Sequence, residues 1–198
     1  MLNNMKYISS VKTKIIPSGL HIGQLCIWVD FSDKPCKASV CLSSGVTTYY
    51  DNLSVDFFNE FEFENETFVF NNGDKELLEK ILPELSKKNN IFLHCENTEI
   101  YTDILKYADC VELNVYGKCK DDFENQLLGD IEFYVNLHVD SDYNVEDLIE
   151  YCEKIRSFDP TLKLVLTPFS YKNKLLPSEE TLLSLCLYGN EYIETFVI

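Results

Sequence analysis

Leu25-Cys26-Ile27-Trp28-Val29-Asp30-Phe31 is the run on which the fold turns. Only Asp30 interrupts its apolar character. The run is too short for a buried helix and rich in β-branched and aromatic types, so it reads as a buried strand. Working outward, Thr67 to Phe70, Asn90 to Leu93, Val111 to Val115, Phe133 to Val139 and Leu162 to Leu166 repeat the pattern, and Ile193 to Val197 reads as a last strand. Helical patterns alternate with them. Asp74 to Lys88 places Leu77, Leu78, Ile81, Leu82 and Leu85 on one face, with Pro83 in its last turns. Glu99 to Ala108 turns Ile104, Leu105 and Ala108 inward. Val145 to Ser157 carries the stripe Val145, Leu148, Ile149, Cys152 and Ile155 behind an Asn144 N-cap. Ser178 caps a final helix, Glu179 and Glu180 complement its dipole, and Gly189 ends it.

Strands alternating with helices imply a parallel sheet with helical crossovers. About six such strands predict an α/β fold of partial, (β/α)6-like barrel type rather than a closed eight-stranded barrel. No linker or repeat divides the chain, so residues 1–198 read as a single domain. Ligands of such sheets sit beyond the carboxyl ends of the strands. Chemistry is therefore expected at Ser32 to Thr47, Asn71 to Asp74, His94 to Thr98, Tyr116 to Cys119, Asp140 to Ser141 and Thr167 to Ser170.

The formal net charge of −16 argues against a large nucleic-acid footprint, because phosphate binding needs clustered Lys and Arg. It argues equally against docking on an anionic membrane. No apolar run approaches the ~20 residues of a bilayer span, and Met1 to Ser10 lacks the apolar core of a signal peptide. The expected location is cytoplasmic, where the eight scattered cysteines stay reduced.

Several loop positions carry a family resemblance. Pro17-Ser18-Gly19-Leu20-His21-Ile22-Gly23-Gln24, running into Leu25 to Phe31, resembles the glycine-rich opening of the 7-carboxy-7-deazaguanine synthases of the radical-SAM superfamily. In that family the strand delivers a CxxxCxxC loop holding a [4Fe-4S] cluster. The equivalent loop here is Cys36 to Ser44. Cys36 and Cys41 stand in two of the cysteine places, with spacing one residue too long, and Ser44 stands in the third. Phe68 to Asp74 resembles the strand followed by GGEP, the turn that meets the amino group of S-adenosylmethionine. Asn90 to Asn97 resembles the strand ending in TNG, Ala108 to Asn114 the next strand, and Phe133 to Pro168 the last βαβ unit. Leu183 to Gly189 resembles the terminal helix. The resemblance thus runs from about Lys14 onward, on the order of elements more than on exact motifs. It implies a radical-SAM-type barrel in which Asn72, Gly73, Asp74 and Asn97 face S-adenosylmethionine and Cys36 and Cys41 ligate metal. A homodimer is implied by the resemblance alone.

Each candidate has a plainer reading. Asn72-Gly73-Asp74 is also a good strand-to-helix turn that caps a helix at Lys75. Cys36 and Cys41 are also ordinary loop thiols, since a hydroxyl at Ser44 replaces a soft thiolate poorly. As zinc ligands they would need Cys95, His94 or Cys119 from neighbouring strand ends. His21, His94 and His138 show no catalytic spacing, and His94 is the best placed. Tyr49, Tyr50, Phe57, Phe58, Phe61 and Phe63 read as packing, with Phe61 to Phe63 a half-exposed strand, or as a partner surface. Three functions follow, in order. The first is a degenerate, non-catalytic radical-SAM-like scaffold that binds a protein or small molecule. The second is an active [4Fe-4S]/S-adenosylmethionine radical enzyme. The third is a zinc-stabilised structural protein.

Overall fold

The computed structural model describes residues 7–96, 102–116, 131–170 and 175–198. They contain ten strands and five helices. Asn97, Thr98 and Cys119 lie outside the described residues, as does the first turn expected for the helix from Glu99. No helix among the described residues is long and apolar enough to cross a membrane. The described residues form two compact units. One holds residues 7–17, 22–95 and 102–111, and the other 18–21, 96, 112–116, 131–170 and 175–198.

In the first unit the strands are β1 (Tyr7–Ile15), β2 (Leu25–Ser32), β3 (Ala38–Cys41), β4 (Thr48–Tyr50), β5 (Thr67–Asn71) and β6 (Asn90–Cys95). They are hydrogen-bonded in the order β6-β5-β2-β1-β3-β4. The expected strands β2, β5 and β6 run parallel in consecutive register, Val29 beside Phe70 and Phe70 beside Leu93. The sheet is not parallel throughout, however. β1 returns antiparallel along β2, and β3 and β4 form an antiparallel pair beyond it. The parallel-sheet expectation is corrected to a mixed sheet at this edge.

The helices are α1 (Phe57–Glu60), α2 (Lys75–Leu85) and α3 (Thr102–Leu105). Ile27, Val29, Phe68, Phe70, Ile91 and Leu93 alternate onto one sheet face and are buried, as are Phe57 and Phe58 of α1 and Leu78, Ile81, Leu82 and Leu85 of α2. Phe58 meets Phe68 and Phe70 ring to ring at 6.2 and 6.1 Å. The aromatic group thus divides into core (Phe57, Phe58) and surface (Tyr49, Phe61). Phe61 to Phe63 form no strand: Phe61 closes α1 instead, its N–H donating to Phe57 O.

The second unit continues β7 (Cys110–Tyr116) from Glu112 and adds β8 (Glu132–Val139), α4 (Val145–Phe158), β9 (Lys163–Pro168), α5 (Glu179–Gly189) and β10 (Thr195–Val197). The strand order is β10-β9-β8-β7, and the β8–β9 and β9–β10 pairs are parallel. The predicted caps are present. Asn144 accepts from Asp147 N and Ser178 from Thr181 N. Val135, Leu137, Val139, Leu164 and Leu166 on one sheet face join Leu148, Cys152 and Ile155 of α4 and Leu185 of α5 in a single core. With α4 and α5 on that face, the alternate residues of β7, β8 and β9 are left to build something else.

Candidate binding site on the polar face of β7 to β9

Val165 apart, those alternate residues of the second unit are polar, and most are buried. Glu112, Tyr134 and Asn136 are 1% exposed or less, and Asn114 only 9%. Burying so many polar groups is costly unless each finds a partner, and here they satisfy one another. Tyr134 OH donates to Glu112 Oε2 in a short hydrogen bond. Asn136 Nδ2 donates to Glu112 Oε1 at 2.9 Å and to Asn114 Oδ1 at 3.2 Å. Thr167 Oγ1 donates to Asn136 Oδ1 at 2.6 Å. His138 Nε2 lies 2.8 Å from Asn114 Oδ1.

The lattice has a direction. The Glu112 carboxyl oxygen fixes the NH2 end of Asn136, which requires Asn114 to present its carbonyl oxygen, and that oxygen requires His138 Nε2 to carry the hydrogen. His138 Nδ1 is left with a bare lone pair. It is buried and has no hydrogen-bond partner among the described residues.

Aromatic rings complete the strand ends. Tyr116, the last residue of β7, stacks on His138 with centroids 4.3 Å apart and planes at 11°. Phe169 stands edge-on to both rings at 5.2 and 5.7 Å. Burial pushes the His138 imidazole below its ordinary pKa, against the opposing pull of Glu112 and Glu96. Burial likewise raises the Tyr116 phenol, and the same two acids add to the shift.

The glycine-rich stretch contributes to this lattice. Gly19 adopts a left-handed φ of +85°, and a Cβ there would collide with Glu112 Oε2 and Tyr134 OH. His21 Nε2 sits 2.9 Å from Glu132 Oε2. The sequence marked this stretch as the approach to β2. Its physical role in the second unit is to press backbone against Glu112.

Apart from Asn97, which lies outside the described residues, the residues singled out by resemblance fall in the first unit. Asp74 is the N-cap of α2, its carboxyl accepting from Leu77 N at 3.3 Å. Asn72 takes a left-handed φ of 55° and donates its N–H to His94 O at 2.8 Å. Gly73 is pressed on Leu78, whose Cδ1 would lie 2.6 Å from a Cβ. Gly73→Ala should therefore cost about 1–3 kcal/mol through overpacking, read as a lowered urea midpoint. Cys36 precedes β3, and Cys41 closes it opposite Lys12 of β1. The stretch from Cys36 to Ser44 is thus no continuous loop. Ala38 and Val40 alternate inward and make its middle a strand. Ser44 Oγ accepts from Val46 N at 3.4 Å. Among the described residues, neither Cys36 nor Cys41 belongs to a group of three or more His, Cys, Asp or Glu donor atoms within 4.8 Å.

His94, favoured by position, is buried edge-on to Trp28 at 4.9 Å. Beside it, Asp30 accepts from Asn71 Nδ2 at 3.0 Å, Trp28 Nε1 at 2.7 Å and Ser10 Oγ at 2.8 Å, and Lys14 Nζ lies 3.5 Å from the Trp28 ring centroid. Burial alone would raise the Asp30 pKa, but these donors and Lys14 overcome it and hold the carboxyl below its ordinary value.

Both groups make folding sensitive to acid, in separate windows. The unfolded chain binds a proton on His138 at a higher pH than the folded chain does. That stability is complete above the ordinary histidine value of 6.5 and is lost as pH falls from there through the folded value. The Asp30 contribution is present above 3.8 and is lost as pH falls through its depressed folded value. Urea titrations between about pH 7.5 and pH 5 should show declining stability. A His138→Gln chain should lack that part of the slope.

No family model matches the chain, and no curated protein matches it.

Proposed function

We propose that the chain is a non-catalytic scaffold of radical-SAM-like architecture that holds a small molecule on the polar face of β7 to β9. The observation that carries this reading is His138 Nδ1, a buried lone pair with no partner among the described residues at the end of a chain of hydrogen-bonded polar groups. A purely structural lattice gains nothing by leaving its last acceptor unfilled, since a buried unsatisfied polar group costs about 1–3 kcal/mol. An acceptor held for a ligand accounts for the unpaired Nδ1. The site lies where ligands of parallel sheets bind, at the carboxyl ends of β7, β8 and β9.

The consecutive order of the parallel strands supports the radical-SAM-like architecture. The donor set does not fit a [4Fe-4S] cluster. Cluster irons need soft thiolates; Cys41 is a strand residue of β3, and the Ser44 hydroxyl is engaged within its own turn. Anaerobic reconstitution with iron and sulfide tests this half of the reading. The expected product is a colourless chain with trace iron and an unchanged circular dichroism spectrum. About four irons per chain with a broad visible band, lost in Cys36→Ala or Cys41→Ala, would overturn it.

A further inference from the structure

The chemistry around His138 goes further than "a small molecule", and three features restrict the class. The first is hydrogen-bond polarity. With Nε2 donating to Asn114 Oδ1, the imidazole offers only an acceptor at Nδ1, so the ligand must supply an N–H or O–H. A carboxylate or phosphate would set lone pair against lone pair. The second is charge. Among the described residues, the charges that reach His138 and Tyr116 are Glu96 and Glu112, both negative. The chain as a whole carries −16, which draws cations toward it and repels anions. The third is surface. Tyr116 and Phe169 bring aromatic rings within 6 Å of the imidazole, and such rings attract cations and cover apolar carbon. A metal ion fits poorly, because among the described residues His138 belongs to no group of three donor atoms within 4.8 Å.

We propose that this site takes a small organic ammonium with an aromatic or apolar body, its N–H donated to His138 Nδ1 and its body laid against Tyr116 and Phe169. The proposal rests on the reading of this face as a small-molecule site and adds the class of ligand. A neutral hydroxyl compound could make the same hydrogen bond but gains nothing from the two acids. An anion loses on every count.

Three probes of one shape separate these cases: benzylammonium, benzyl alcohol and benzoate. Each is titrated into the full chain at about pH 7.5, where the amine is charged. Binding is followed by calorimetry and by the ring nitrogen resonances of His138. The expected result is that benzylammonium shifts His138 and binds at least about tenfold more tightly than benzyl alcohol, with benzoate unbound. His138→Gln keeps a donor toward Asn114 but removes the Nδ1 acceptor. It should weaken the ammonium about tenfold, and Tyr116→Leu should weaken it in the same direction while leaving the lattice in place. If benzyl alcohol or benzoate shifts His138 as strongly as the ammonium, the ligand class is wrong and the face remains a small-molecule site. If none of the three perturbs His138, both the class and the site reading are overturned. Ammonium binding indifferent to both substitutions would also overturn the proposal.

Discussion

Glu112→Ala is expected to destabilise the chain by about 4 kcal/mol, near the upper end of single-substitution effects. The side chain is 1% exposed, and both of its carboxyl oxygens accept, one from Tyr134 OH and one from Asn136 Nδ2. Alanine removes the acceptor of Tyr134 OH and one of the two acceptors of the Asn136 amide, at about 1–3 kcal/mol for each lost bond, and adds a cavity. Glu112→Gln keeps the volume and one acceptor but turns an amide NH2 toward a neighbouring donor. It should cost roughly half as much. Urea unfolding of the two variants reads the difference. Equal, small losses below about 1 kcal/mol would mean that the lattice is not what holds β7 to β8.

Gly19→Ala is the second large effect, expected at about 2–5 kcal/mol. The left-handed backbone alone costs an L side chain about 1–2 kcal/mol. The new Cβ would also collide with the Glu112 carboxyl and the Tyr134 hydroxyl, neither of which can retreat without breaking their mutual bond. Gly23 supplies an internal comparison. Its φ is +88°, but nothing lies within 4 Å of a Cβ there. Gly23→Ala should therefore show only the backbone cost, about 1–2 kcal/mol. The gap between the two melting temperatures measures the close approach of Gly19 to the lattice.

Strands with uninterrupted apolar character were legible directly. β2, β5, β6 and β9 are short, β-branched or aromatic runs, and each lies within a residue or two of its expected place. The helix caps at Asp74, Asn144 and Ser178 were legible for the same reason, being local chemistry. β1 was not. A bulge between Ile8 and Ser10 shifts its phase, so Ile8 and Val11, three residues apart, are both buried and the alternation does not run through the strand. β3 and β4 hold only four and three residues, below the length at which alternation can be read.

The candidate site was half legible. Glu112 and Asn114, then Tyr134, Asn136 and His138, alternate with valines and leucines in plain view. Alternation by itself predicts a solvated face. What overrules it is the parallel sheet, whose strands are covered on both faces. A polar residue at every second place of such a strand is a buried network rather than a wet surface. That inference was available for β7 and β8 once the sheet was expected to be parallel. The two histidines differ for a related reason. His94 has the better position at a strand end, but its ring is taken up by Trp28, whereas the importance of His138 depends on hydrogens assigned through four other residues on three strands.

The directed lattice ending in an open His138 Nδ1 is the claim on which both the binding reading and the ligand class depend. Long-range nitrogen–proton correlation of the histidine rings, at about pH 7.5, tests it most directly, with His138→Gln supplying the assignment. The predicted result is a neutral His138 ring protonated at Nε2, with Nδ1 at the shift of a bare imine nitrogen. An Nδ1–H tautomer, or an imidazolium with both nitrogens protonated, would reverse the direction of the lattice and contradict the account.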